Sequence, residues 1–436
     1  MTTQRENILE QAAFDKYVAE SDGEQWLQDS KKDSWKRLQE QATPTRLDQN
    51  WRFASLFDID GKYVNSNKPS AELQASIVER SKLVKEVAGS FVFADNYSIS
   101  SIGLSDELKA KGVIWTSLEN AAKEHPELFK KYCLSNKLTL GSEKWEALNA
   151  AYCQGGTFLY VPKNVVIEQS FVNYHWSCES NTALFPKTVV IAEDNSRVSQ
   201  VDYYFSENED SSSFSCESEF TYAMQGAKVT RHNVQNWNEQ MKALHVSNEI
   251  VDKDAVVKHI SVCLGGDKTR SENIVNLNGA GSDARIYSLT VANKDQEFDQ
   301  RTQQIHTAPN AFSELLYKNV LLDKAHTIFS GMINVEEDAQ LTDAYQTNRN
   351  LLLSDSASAD AIPGLEISAN DVKCSHGTTT GRLDADELFY MSSRGIPLKM
   401  AQELMVLGFL DEVIEKIENE ELADSLRELV AAKFKK

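Results

Sequence analysis

The chain has 436 residues and a formal net charge of −20, with 41% hydrophobic and 25% charged residues. That length suits two or three domains, or one elongated core with appendages. The acid excess argues against a phosphate-neutralising nucleic-acid binder and a polybasic membrane anchor, and no run approaches the ~20 apolar residues that cross a bilayer.

The opening Met1-Thr2-Thr3-Gln4-Arg5-Glu6 is polar and carries no apolar stretch of signal-peptide type. Six scattered cysteines, Cys133, Cys153, Cys178, Cys216, Cys263 and Cys374, form no close pair. Free thiols in a reducing cytoplasm are therefore expected, most of them buried as small apolar groups.

Residues 1–145 read as an N-terminal helical region. Ala13, Tyr17 and Val18 form one apolar stripe and Trp26, Leu27, Trp35 and Leu38 another, separated by Ser21-Asp22-Gly23. Thr43-Pro44-Thr45 breaks the pattern, and Trp51-Arg52-Phe53 is an aromatic segment able to dock on a core. A further helix is expected from about Ala71 to Glu86, with Ser70 as its cap.

Residues 150–380 change character. Val, Ile, Thr, Tyr and Phe become dense, and a unit recurs: an apolar run, an acidic or polar turn, a small residue, another apolar run. Ile250-Val251 leads into Asp252-Lys253-Asp254-Ala255, Val320-Leu321-Leu322 into Asp323-Lys324-Ala325, and Ile333-Asn334-Val335 into Glu336-Glu337-Asp338-Ala339. A small residue after each turn lets the chain corner tightly. The unit predicts a mainly β solenoid whose rungs stack, each burying its apolar face on the next. An antiparallel sandwich is the competing architecture. Residues 383–436 turn helical again: Asp384 is placed to cap one helix, Gly395-Ile396-Pro397 to stop it, and Ala401 to Leu429 continue an amphipathic pattern. Apolar residues left over from packing on the solenoid would form a partner surface.

The densest cluster of reactive residues is Asp371-Val372-Lys373-Cys374-Ser375-His376-Gly377-Thr378-Thr379-Thr380-Gly381. On a strand, Cys374 and His376 share one face. Thiolate and imidazole are donors for iron, zinc or a cluster edge, and a complete site would need further ligands from another chain. The plainer alternative is a buried thiol and a backbone-bonded imidazole. His306 and His326 read as structural histidines within strands. Cys263-Leu264-Gly265-Gly266 reads as a turn. Acidic pairs such as Glu193-Asp194 recur at turns, as solvated corners do. Neither a Walker A pattern nor a GxGxxG in strand–helix context is visible, so no nucleotide site is expected.

Several strings resemble the SufB/SufD family of iron–sulfur cluster assembly proteins. They are Asn319-Val320-Leu321-Leu322-Asp323, Phe329-Ser330-Gly331, Gln346-Thr347-Asn348-Arg349-Asn350, Pro363-Gly364-Leu365-Glu366-Ile367, Cys374-Ser375-His376-Gly377 and Met391-Ser392-Ser393-Arg394-Gly395-Ile396. The likeness covers about Gly155 to Phe409, and the intact Cys-Ser-His-Gly is similar to the SufD branch. The resemblance implies a right-handed parallel β-helix between helical ends. It implies a non-catalytic assembly subunit, aiding iron acquisition, that pairs with a SufB-type scaffold through the β-helix. A SufC-type ATPase would bind the C-terminal helices. His376, with Cys374 beside it, would be a candidate metal ligand facing the scaffold. No tightly bound cofactor is implied for the isolated chain, only transient iron or a shared cluster. Homodimerisation in isolation, a SufB-like scaffold role and a β-helical carbohydrate-active enzyme are the rival readings.

Overall fold

The computed structural model describes residues 5–434 except 22, 56, 58, 60, 135–137 and 154, so the polar opening at 1–4 and Asp22 of the first helix break lie outside the described residues. Two ten-stranded sheets form the core, and successive strands alternate between them. Val256 pairs in parallel with Asp283, Asp283 with Phe312, and Phe312 with Asp343. Each circuit thus returns the chain one strand further along a rod, for about eight turns. The parallel β-solenoid expected from the repeated turns is therefore present, and the sandwich is not.

The corners form as their sequences dictate. Asn195, Asp254 and Asp323 adopt positive φ of 57°, 55° and 49°, a region that Asn and Asp tolerate better than most side-chain-bearing residues. Ala255, Ala325 and Ala339 follow as fully buried plugs, while Glu336, Glu337 and Asp338 remain in solvent. Gly266, in the turn after Val256–Cys263, has φ 96°.

Both outer faces are covered. On the first sheet Val201, Ile260, Tyr287 and Leu316 pack with Val406, Leu410, Val413, Leu422 and Leu426 of the helices Leu398–Ile414 and Glu420–Lys433. On the second, Phe214, Leu244 and Val246 meet Phe14, Trp35, Trp145 and Leu148. Trp51 docks there as its aromatic segment suggests: the Arg270 guanidinium lies 3.9 Å from its ring centroid, and its Nε1 donates to Gly141 O at 2.9 Å. Arg270 also donates to Leu140 O at 2.8 Å and to Glu272 at 2.8 Å, and pairs with Asp299. Among the described residues no helix is long and apolar enough to cross a membrane.

Three expectations need correction. First, the stretch read as helical contributes strands Gly89–Ala94, Tyr97–Ile102 and Ile114–Ser117. The β-rich Ser90-Phe91-Val92-Phe93 joins the end of a sheet already templated by Phe171–Ser177. Second, the helix capped by Ser70 stops at Arg80, not Glu86. There Ser81 Oγ donates to Ile77 O and accepts from Trp176 Nε1 at 2.9 Å, which pins the chain to the sheet.

Third, the rungs do not stack on apolar faces throughout. Between the sheets Arg231 reaches Asp202 at 3.0 Å, Glu219 at 3.1 Å and Thr221 Oγ1 at 3.1 Å. His245 reaches Glu217 at 3.1 Å, and His259 pairs with Glu249. Burial opposes the charge on Asp202, but contacts from His175, Arg231 and Asn173 outweigh it and hold its pKa low. Burial likewise opposes charge on His245, and Glu219 and Glu217 outweigh it, raising that pKa. Covered outer faces explain why sequence alternation did not reveal this interior: strands buried on both sides lose the polar-out signature.

Candidate functional site

Period-2 geometry and register place the Cys-x-His pair. Lys373–Arg382 is the last strand of the first sheet and pairs only with Asp343–Leu352. Ala344, Gln346, Asn348 and Asn350 of that neighbour are buried, while Tyr345 and Arg349 face solvent. Their partners Cys374, His376, Thr378 and Thr380 therefore carry on the inward-facing columns of the rod. His376 ends the column Arg231, His259, Ile286, Leu315, Gln346, and Cys374 ends Val229, Val257, Ala284, Ser313, Ala344.

Because no rung follows, these inward positions open outward. His376 is exposed, whereas Cys374 is half-buried against Ile333, Val335, Ala339 and Ala344. Burial, and secondarily the Asp343 carboxylate, raise the Cys374 pKa, partly offset by the Ala344 amide. The isolated chain thus presents a thiol that must lose a proton before it ligates metal. Among the described residues, no three His, Cys, Asp or Glu side chains converge to hold a metal ion. Cys374 and His376 are two donors on one face of a bare strand.

The rung above explains part of the surrounding sequence. Gln346 fills the space between the sheets and donates to Gly331 O at 3.4 Å. A Cβ on Gly331 would stand 2.5 Å from its Oε1, so a side chain there would have to displace the Gln346 amide. Across the rod Ser358–Ile367 is the second sheet's last strand, also with a single neighbour.

The other histidines are placed as structural groups. His306 is fully buried, with Nε2 2.8 Å from Ser313 Oγ, and burial lowers its pKa to about 4. His326 lies 3.6 Å from Glu297 and 3.0 Å from Asp360; hydrogen bonding to Glu297, against burial, raises its pKa. Neither joins the terminal pair. Thr378 and Thr380 fall inside the dense cluster at 371–381 but received no role from sequence, although continuing the same alternation past His376 points to them.

Beyond the strand, Asp384 accepts from the amides of Asp386 and Glu387 and caps Ala385–Ser393, a helix with no buried residue. Phe389 is 74% and Tyr390 59% exposed, and Leu398, Met400 and Leu404 of the next helix are also exposed. The remainder of that helix and the turn after it are fastened to the rod: Lys318 pairs with Glu412 and donates to Phe409 O at 2.7 Å, and Lys258 pairs with Glu418 of the turn at 2.6 Å.

The family model for the SufBD core domain of the SUF system for FeS cluster assembly matches residues 175–409, and that for the SufBD N-terminal region matches residues 12–171. The chain belongs to the SufBD family. The core match spans most of the rod, the Cys374–His376 strand and the exposed helical segment. Among relatives, the iron–sulfur cluster assembly protein SufD of Bacillus subtilis is 32% identical over 391 residues, 88% of each chain. A SufBD family iron–sulfur cluster assembly protein of Trieres chinensis is 26% identical over 381 residues, 86% of this chain and 77% of its own. One from Mycobacterium tuberculosis is 38% identical over 208 residues, 46% of this chain and 52% of its own. The likeness to the Bacillus SufD runs through rod and helices alike, as the SufD-like Cys-Ser-His-Gly string leads one to expect.

Proposed function

We propose that this SufBD chain is a non-catalytic subunit of an iron–sulfur cluster assembly complex in the cytoplasm. It pairs through its last rung with a SufB-type scaffold and through its C-terminal helices with a SufC-type ATPase. One observation carries the reading: both sheets end in bare strands, and the inward columns of one terminate in Cys374 and an exposed His376. A second rod added edge to edge would extend the hydrogen-bond ladders and enclose the two donors with ligands of its own. Iron or a nascent cluster is then cargo held between two chains, which accords with a two-donor set that cannot complete a tetrahedral site alone.

The exposed Phe389, Tyr390, Leu398, Met400 and Leu404 supply the ATPase-docking face in this reading. ATP-driven closure of two ATPase subunits would pull on that face. The ion pairs from Lys318 and Lys258 would transmit the pull to the rod and shift the shared rung.

The test is co-expression with a SufB-type scaffold and a SufC-type ATPase. His376→Ala is expected to leave the complex assembled, by native mass, and to lower its cluster yield, by visible absorption after loading with iron and sulfide. An unchanged yield removes His376 from the site. Failure of the wild-type chain to form a complex with either protein removes the reading.

A further inference from the structure

A second site lies far from the last rung in sequence, where the N-terminal helices meet the second sheet. There a cavity with about 40 Å³ of room for water-sized centres is lined by Lys31, Lys187, Cys133, Cys153, Glu119 and Phe129, among others. Since one water needs roughly 10–15 Å³ by this measure, the space suits an occupant the size of two or three waters.

Lys187 opens the strand Lys187–Ala192 and is only 4% exposed. Among the described residues its ammonium has no carboxylate within 4 Å and no hydrogen-bond partner; it lies 5.0 Å from the centroid of the Phe220 ring. Lys31, 8% exposed, donates to Tyr17 Oη at 2.6 Å and likewise has no acid partner among the described residues. Ammonium groups with so little exposure and no counter-charge within 4 Å are unfavourable, and the Tyr17 hydroxyl and the Phe220 ring relieve that cost only in part. Burial lowers the Lys31 pKa, as that cost requires, and burial raises those of Cys133 and Cys153, which stay thiols. Glu119, which is exposed, is the one acid among the described lining residues. Two cations against one carboxylate leave a single uncompensated positive charge.

We propose that this cavity binds one small monovalent anion between Lys187 and Lys31. Thiols and the Phe129 ring make part of the wall soft and poorly hydrating, which favours a polarisable, weakly hydrated ion such as hydrosulfide or a heavy halide. Sulfate and phosphate, larger and more strongly hydrated, do not suit it. The site owes nothing to the last rung and stands whether or not the chain joins an assembly complex.

Two experiments on the full chain decide it. Crystals soaked in sodium bromide are expected to show an anomalous bromine peak between the two ammonium groups. In solution, bromide and hydrosulfide are expected to raise Tm saturably, by roughly 1–3 °C, against sodium sulfate at equal ionic strength. Lys187→Met should abolish the rise and Lys187→Arg should retain it. A rise with bromide alone makes it a halide site, and a rise with both ions makes it a site for hydrosulfide as well. No bromine peak in wild-type crystals overturns the proposal, as does an equal Tm rise in Lys187→Met. If Lys187→Met does not fold, the wild-type peak alone decides.

Discussion

The two ends of the rod are built differently. At the first end, Tyr97–Ile102 runs antiparallel to Gly89–Ala94, and Ile114–Ser117 runs antiparallel to Gly156–Val161, so each sheet finishes in a reversed strand. The turn between the first two is locked: Asn96 donates to Ala183 O and accepts from the Phe185 amide, both at 2.8 Å, and Asp95 accepts from the Cys178 amide at 2.8 Å. Trp115 closes over Phe171 and Phe91, with ring centroids 4.8 and 5.3 Å away. At the last end nothing comparable covers Lys373–Arg382, whose side chains are almost all exposed. Solenoids need covered ends to stay soluble. Among the described residues, then, one end of the rod is sealed by several devices and the other ends in an unpaired strand edge.

The contrast between sealed interior and open rung is sharpened most by Arg231. Arg231→Met removes the shared cation of Asp202 and Glu219 and leaves the two buried carboxylates to their weaker partners, His175 and His245. A loss of about 3–5 kcal/mol in unfolding free energy is expected from urea titration. A loss below about 1 kcal/mol would mean the interior charges are not coupled as the distances suggest.

Acid should attack buried groups on both faces of the rod wall. Burial lowers the pKa of His232 and of His306 to about 4, whereas an unfolded histidine titrates near ~6.5. Between those values the unfolded chain binds protons that the folded chain refuses. Their stabilisation is therefore complete above about pH 6.5 and is lost as pH falls towards 4, by roughly 3 kcal/mol per histidine. Urea titrations at pH 7, 5.5 and 4.5 follow the loss. His306→Gln should make it shallower, and an identical slope in that variant would assign the acid lability elsewhere.

The open rung should be nearly indifferent. His376→Ala is expected to change the stability of the isolated chain by no more than about 0.5 kcal/mol. A cost above about 1 kcal/mol would mean that His376 is a packing residue.

Particular residues show how far the sequence carried. The corners were legible because Asp254–Ala255 and Asp323–Ala325 combine a side chain that tolerates positive φ with one small enough to seal the bend. The caps at Ser70 and Asp384 were legible because one oxygen reaching an amide two or three residues on is a local event. The shared face of Cys374 and His376 followed from strand periodicity alone. What was hidden depended on distant chain. Nothing local in the sequence singles out Asp202, Arg231 and Glu219, which meet only once three successive strands are assembled. Gly89–Ala94 becomes a rod strand only because Phe171–Ser177 offers it an edge. That Lys187 has no acid partner among the described residues likewise emerges only once helices and sheet are assembled.

Amide hydrogen exchange along Lys373–Arg382, with and without a SufB-type scaffold, bears most directly on the bare rung as a pairing surface. In the isolated chain the outward amides of this strand should exchange fast, and in the complex they should slow by roughly tenfold or more while Tyr97–Ile102 stays unchanged. A complex that forms without slowing them, or that protects the first end instead, would contradict it.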